Sequence, residues 1–192
     1  MNISYFYTKT LGLKNKNIIQ ILAANSQIRI IQKGYILHNI GESCAELYFL
    51  EEGLVRGFLL DAKGNEVTDC FSFLKGTPIV SCLDLDGPSI ISVEALEDSR
   101  LISIPLRIVL PLLKSDLELI SLYNQLLRNS LKMHWENKNA IIKHTAAERY
   151  QWFLATYPGL INRVNHKYVA SFLGITPVSL SRIRRAIREI EH

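Results

Sequence analysis

Near the C-terminus, Val178, Ser181, Arg182 and Arg185 lie at spacings of three, four and seven counted from the valine. On a helix those spacings share one face, opposite Leu180 and Ile183. Two guanidiniums on such a face can each donate a fork of hydrogen bonds to guanine O6 and N7, and a valine can touch a thymine methyl. Thr176 and Ser179, beside the free N–H groups of a helix start, suit phosphate oxygens. This is the chemistry of reading a base edge rather than breaking a bond. Arg184 and Arg188 fall further round, towards a nucleic-acid backbone or solvent. An ordinary helical hairpin with a basic surface is the plainer alternative.

The elements needed to present that face are legible around it. Asn165 can cap a short helix with inward Val169, Phe172 and Leu173. Gly174 supplies the positive φ of a tight turn, and Ile175 fills the space between the helices. Thr176 then makes a good N-cap and Pro177 a good first helical residue for a second helix that buries Leu180, Ile183, Ile187 and Ile190. Helix, glycine turn, capped helix and basic residues on the second form a helix-turn-helix pattern. Charge points the same way. Residues 143–192 hold eight Lys or Arg against three Glu, whereas residues 1–142 hold 14 basic and 15 acidic groups, so the +4 of the whole chain belongs to the last quarter.

Upstream the texture is different. Eight of the ten glycines fall within residues 12–87, and none between 88 and 158. Between residues 28 and 104, short β-prone runs (IRIIQ, YILHNI, ELYFLEEG, LVRGFLLD, EVTDCFSF, SIISVEAL, SRLISIP) alternate with turn signals, and Asp61–Asn65 reads as a hairpin loop. That spacing predicts an antiparallel sandwich or roll. Pro111 can open a helix, and residues 116–143 contain neither Gly nor Pro. Leu117, Ile120, Leu127, Leu131 and Ile141 recur there at helical spacing, and Ile120, Leu127, His134 and Ile141 keep a seven-residue period. This stripe reads as a dimer seam in preference to a helix packed only on its own domain. A further helix over 146–157 stops at Pro158-Gly159, with Tyr150, Phe153, Leu154 and Tyr157 as its core face.

Several function classes fall away. Cys44, Cys70 and Cys82 are too few and too scattered for a disulfide framework or a structural zinc site. No GxSxG, HExxH or phosphate-binding glycine loop occurs, and the β half carries only His38, short of a cupin metal set. No enzyme, catalytic residue or metal site is expected. No apolar run reaches a membrane span, and the N-terminus lacks a secretion signal, so the expected setting is the cytoplasm with no membrane partner.

The order of these parts resembles the Crp/Fnr family of bacterial transcription regulators. QKGYILHNIGE followed by ELYFLEEGLVRGFLL is similar to the family's glycine framework, and ASFLGITPVSLSRIRR to its DNA motif. LGIT followed by LSRIRR resembles the Bacteroidetes-type members. The resemblance spans essentially the whole chain and implies an α+β architecture: a cyclic-nucleotide-binding-like antiparallel roll over residues 1–115, a dimerisation helix over 116–143, and an all-α helix-turn-helix domain over 144–192. It implies a homodimeric transcription regulator with double-stranded DNA as partner, and leaves RNA polymerase open as another. Only PGLINR separates Tyr157 from Val164, too short for the family's usual β wing.

The roll departs from the cyclic AMP receptors of that family. Their phosphate cassette would fall within residues 76–95, and counting back from SVEA puts Ile79 at its Glu and Ser89 at its Arg. A cyclic phosphate without its cation forfeits a charge-assisted bond worth about 1.5–3 kcal/mol, which argues against cyclic AMP. Arg56, Arg100 and Arg107 remain as stand-ins from elsewhere. Thr77, Ser81, Ser89 and Ser92, with His134 and Trp135 from the long helix, form the expected pocket for a small-molecule effector; a filled roll is the equal alternative. Haem ligation by His38 or Cys44 also stays open. The competing function is a ligand-binding or protein-interaction module with a vestigial DNA domain.

Overall fold

A computed structural model describes residues 2–190 and divides into two compact units, 1–58 with 71–129 and 59–70 with 130–192. The first unit opens on a helical turn, α1 (Ile3–Tyr5), continued by a π-helical turn over Phe6–Thr10, and on α2 (Lys16–Ala24), capped by Asn15. Eight strands follow: β1 (Gln27–Ile31), β2 (Ile36–His38), β3 (Glu46–Glu52), β4 (Val55–Leu60), β5 (Glu66–Ser72), β6 (Pro78–Ile79), β7 (Ser92–Ala95) and β8 (Ser99–Pro105). They form two antiparallel four-stranded sheets, ordered β1-β8-β3-β6 and β2-β7-β4-β5, which is the expected roll. The Asp61–Asn65 loop closes β4 onto β5: Asp61 accepts from the Lys63 and Asn65 amides at 2.8 Å, and Gly64 takes φ +81°.

β8 explains how the roll is held. Its period-two pattern is apolar on both faces, because Leu101 pairs with Leu50 on one side of the sheet while Ile102 and Ile104 join Phe49 on the other. The second set packs on Phe6, Tyr7, Leu13, Ile18, Ile19 and Leu22, so the π-helical turn and α2 form a layer over that sheet. The layer is tied to the later chain by Glu118, which accepts from the Lys14 and Asn15 amides at 2.7 and 2.8 Å.

After β8 come α3 (Leu106–Leu112) and the 27-residue α4 (Leu117–Lys143). Pro111 does not open a helix: extended Pro105 is the N-cap of α3, and Pro111 lies inside it, one residue from its end. In the second unit, α5 (Ala146–Thr156) starts at a capping box of Thr145 and Glu148. A 3-10 turn at Leu160–Asn162 buries Leu160 and Ile161. α6 (His166–Phe172) and α7 (Pro177–Ile190) follow. Phe153, Tyr157 and Phe172 meet with ring centroids 5.2–5.9 Å apart and form the centre of this unit. Residues 59–70 belong to it as well: Ser171 donates to Thr68 Oγ1 at 3.0 Å.

Candidate nucleic-acid interface

The two helices expected to carry the chemistry form as local rules dictate. Asn165 accepts from the Lys167 amide at 3.0 Å and caps α6. Gly174 turns the chain at φ +63°, and the Ile175 amide donates to Ala170 O at 3.0 Å. Thr176 caps α7: its Oγ1 accepts from the Ser179 amide at 3.1 Å, and its carbonyl begins the helical ladder at Leu180. Leu180 is fully buried, Ile183 and Ile187 are half-buried, and the Ile190 side chain lies outside the described residues.

Val178, Ser181, Arg182 and Arg185 point away from that buried stripe and are exposed, Val178 at 61%. Thr176 is exposed and Ser179 half-buried, their hydroxyls 2.9 Å apart. The face is less free than spacing suggested. Arg185 Nε donates to Glu189 Oε1 at 2.9 Å, an i,i+4 pair that had no place in the sequence reading although its spacing was there to see. Beside this face an open hollow of about 710 Å³ is lined by His166, Pro177, Leu180, Ser181, Arg184, Arg185, Arg188 and Glu189. Arg184 Nη1 lies 2.7 Å from His166 Nδ1. Burial first, then the Arg184 and Arg188 charges, hold the imidazole below its ordinary pKa.

On α4, Leu119 is buried, while Leu122 and Leu126 pack on the core cluster of the roll. The expected seam lies on another face: Ile120 is half-buried, Leu127, Leu131 and Ile141 are 44%, 59% and 41% exposed, and His134 is exposed. The helix thus buries one apolar stripe and leaves a second one uncovered.

Of the expected effector residues, Ser81 and Ser89 come together, fully buried, with hydroxyl oxygens 2.5 Å apart. Ser92 is buried and accepts from the Ile40 amide at 3.3 Å. Thr77 is half-buried, with its carbonyl accepting from the Leu50 amide. His134 and Trp135 are exposed and belong to the other unit, where Lys138 Nζ sits 5.0 Å above the indole. The stand-in arginines are engaged or outside. Buried Arg56 donates through Nε to Glu94 Oε2 at 2.8 Å and lies 4.3 Å over the Phe58 ring, Arg100 pairs with Glu51 at 3.2 Å, and Arg107 is exposed. Among the described residues no group of three or more His, Cys, Asp or Glu is placed to hold a metal ion, and no helix is long and apolar enough to cross a membrane.

A double-sheet roll, a long helix and a capped helix-turn-helix unit together make the fold of the Crp/Fnr transcription regulators. The chain is similar to FixK2 from Bradyrhizobium japonicum, with a TM-score of 0.78 and 16% identity over 86% of each chain. It is similar to a protein from Eubacterium rectale assigned to the crp/fnr family of transcriptional regulators, with a TM-score of 0.73 and 20% identity over 91% of this chain and 84% of that one. It also resembles the c-di-GMP responsive global regulator CLP of Xanthomonas campestris, with a TM-score of 0.73 and 13% identity over 92% and 93%. The chain matches no protein-family model and no curated protein. The likeness is therefore one of fold.

Proposed function

We propose that the chain is a cytoplasmic, homodimeric DNA-binding regulator of the Crp/Fnr type. In this reading residues 1–115 are the sensor roll, 116–143 the dimerisation helix and 144–192 the DNA-reading domain. The observation that carries the reading is the exposed face of Val178, Ser181, Arg182 and Arg185, on a helix anchored by buried Leu180 and a glycine turn. Arg182 and Arg185 read guanines, Val178 a thymine methyl, and Thr176 and Ser179 hold phosphates. Glu189 does not block this, since an exposed pair of this kind is worth only about 0–1 kcal/mol and yields to a phosphate or a base. Two copies joined along Ile120, Leu127, Leu131, His134 and Ile141 set their recognition helices on half-sites about 34 Å apart.

In this reading the roll does not bind cyclic AMP in the usual way, and a small-molecule effector of other chemistry stands beside a filled roll. The hydrogen-bonded Ser81–Ser89 pair and the Arg56–Glu94 pair support this, because neither leaves a cation for a cyclic phosphate. RNA polymerase is the further partner in this reading. A mobility-shift titration of genomic fragments at several salt concentrations tests it. Retardation that weakens steeply with salt is expected. Arg182→Ala should cost about 1–3 kcal/mol and relax one base position. No retardation by the wild type at low salt overturns the proposal in favour of a protein-interaction module.

A further inference from the structure

Side chains of the roll that take no part in reading DNA meet at one place. Cys44 Sγ lies 3.6 Å from His38 Nδ1, 3.6 Å from Ser81 Oγ and 3.6 Å from Ser89 Oγ. Cys82 follows Ser81 and forms an antiparallel bridge with Ser89. The Cys82 thiol donates to Leu85 O at 3.6 Å, and Cys44 is one of the groups that raise its pKa. Both thiols are half-buried and free, within reach of a small solute. His38 is buried edge-on to Tyr48, with ring centroids 5.5 Å apart. A thiol with an imidazole on one side and a hydroxyl pair on the other has a base within reach for its proton, and the pair, whose other hydrogen is spent between Ser81 and Ser89, keeps one to donate to the sulfur.

We propose that Cys44 and Cys82 are a peroxide-oxidisable dithiol, with Cys44 as the attacking thiol, His38 as its base and Cys82 as the resolving thiol. His38 removes the Cys44 proton, and the sulfur attacks one oxygen of hydrogen peroxide. The O–O bond breaks, and the departing hydroxide takes the proton back from the imidazolium as water, leaving a sulfenic acid on Cys44. The Cys82 sulfur then attacks the Cys44 sulfur; the S–O bond breaks, and hydroxide leaves with the Cys82 proton as a second water. Two thiols lose two electrons and one peroxide gains them.

The environments assign the order. Burial, opposed only by the Glu42 charge, holds His38 below its ordinary pKa, so at neutral pH it has a lone pair to accept a proton. Burial first, then Cys44, push the Cys82 thiol up to about 11, so Cys82 rests protonated and acts second. The bond ties the segment before β3 to the loop after β6.

The test treats the reduced full-length chain with hydrogen peroxide and maps its cysteines under non-reducing conditions. A Cys44–Cys82 linked peptide, two hydrogens lighter than its parts, with Cys70 still reduced, is expected. In Cys82→Ser, dimedone should trap a sulfenic acid on Cys44, and His38→Gln should slow Cys44 oxidation by about tenfold or more. A disulfide through Cys70, oxidation of Cys44 no faster than of Cys70, or a wild-type rate in folded His38→Gln overturns the proposal. No outcome here bears on DNA binding.

Discussion

Replacing Leu127 and Leu131 together by alanine tests how two copies of the chain would associate. Burying a leucine side chain completely is worth about 1.5–3 kcal/mol. In the single chain Leu127 and Leu131 keep 44% and 59% of their surface exposed, so a seam has roughly half of that, about 1 kcal/mol each, still to gain. A twofold seam contains both leucines from each copy. Allowing for the β-carbons that alanine retains, the double substitution should weaken the dimer by about 3 kcal/mol, or roughly 100-fold in Kd. Both sites lie outside the buried stripe of Leu119, Leu122 and Leu126, and alanine is a good helix former, so the folded chain should keep its helicity. Sedimentation equilibrium across nanomolar to micromolar concentrations measures the shift, and circular dichroism checks the helix. A wild type that is monomeric at micromolar concentration, or a double variant that dimerises as tightly as wild type, refutes the argument.

Two further outcomes follow from the roll. Gly53 sits at φ +112°, and a β-carbon there would run into the Ser99 side chain and lie 2.7 Å from its Cα, so Gly53→Ala should lower stability by about 1–3 kcal/mol, read by urea denaturation. His38 has a pKa below its ordinary 6.5 in the folded chain. The unfolded chain therefore binds the proton first on acidification, and between the two pKa values stability falls as pH falls. Thermal unfolding from pH 7.5 to 5.5 should show a declining Tm that is flatter in His38→Gln; equal slopes would remove His38 as a source of the acid sensitivity. His166 shifts the same way and contributes the slope that persists.

The parts that sequence reading recovered are those governed by neighbours along the chain. Asn165, Gly174, Thr176 and Pro177 act through caps and φ preferences within a few residues, so the turn and both flanking helices were legible before any packing was known. Period two and turn glycines likewise marked the roll's strands, and the unbroken 116–143 stretch marked α4. α2 is also locally encoded, by Asn15 as its cap and by the spacing of Ile18, Ile19 and Leu22. Proline favours first turns, which makes Pro111 look like a helix start, whereas the extended backbone at Pro105 begins the helix earlier.

Other features were decided by tertiary structure alone. Residues 38, 44, 81 and 89 meet because sheet pairing and the bridges Ser43–Pro88 and Cys82–Ser89 fold distant segments together, and no local propensity encodes that meeting. The same holds for Arg56, a cation that composition would leave at the surface and that the sheet instead buries opposite Glu94. Sequence determined which residue types face outward on α7 and α4, since helical period does that by itself. Which polar groups in the roll satisfy one another depends on long-range register, and register is fixed only when the two sheets close over their shared core.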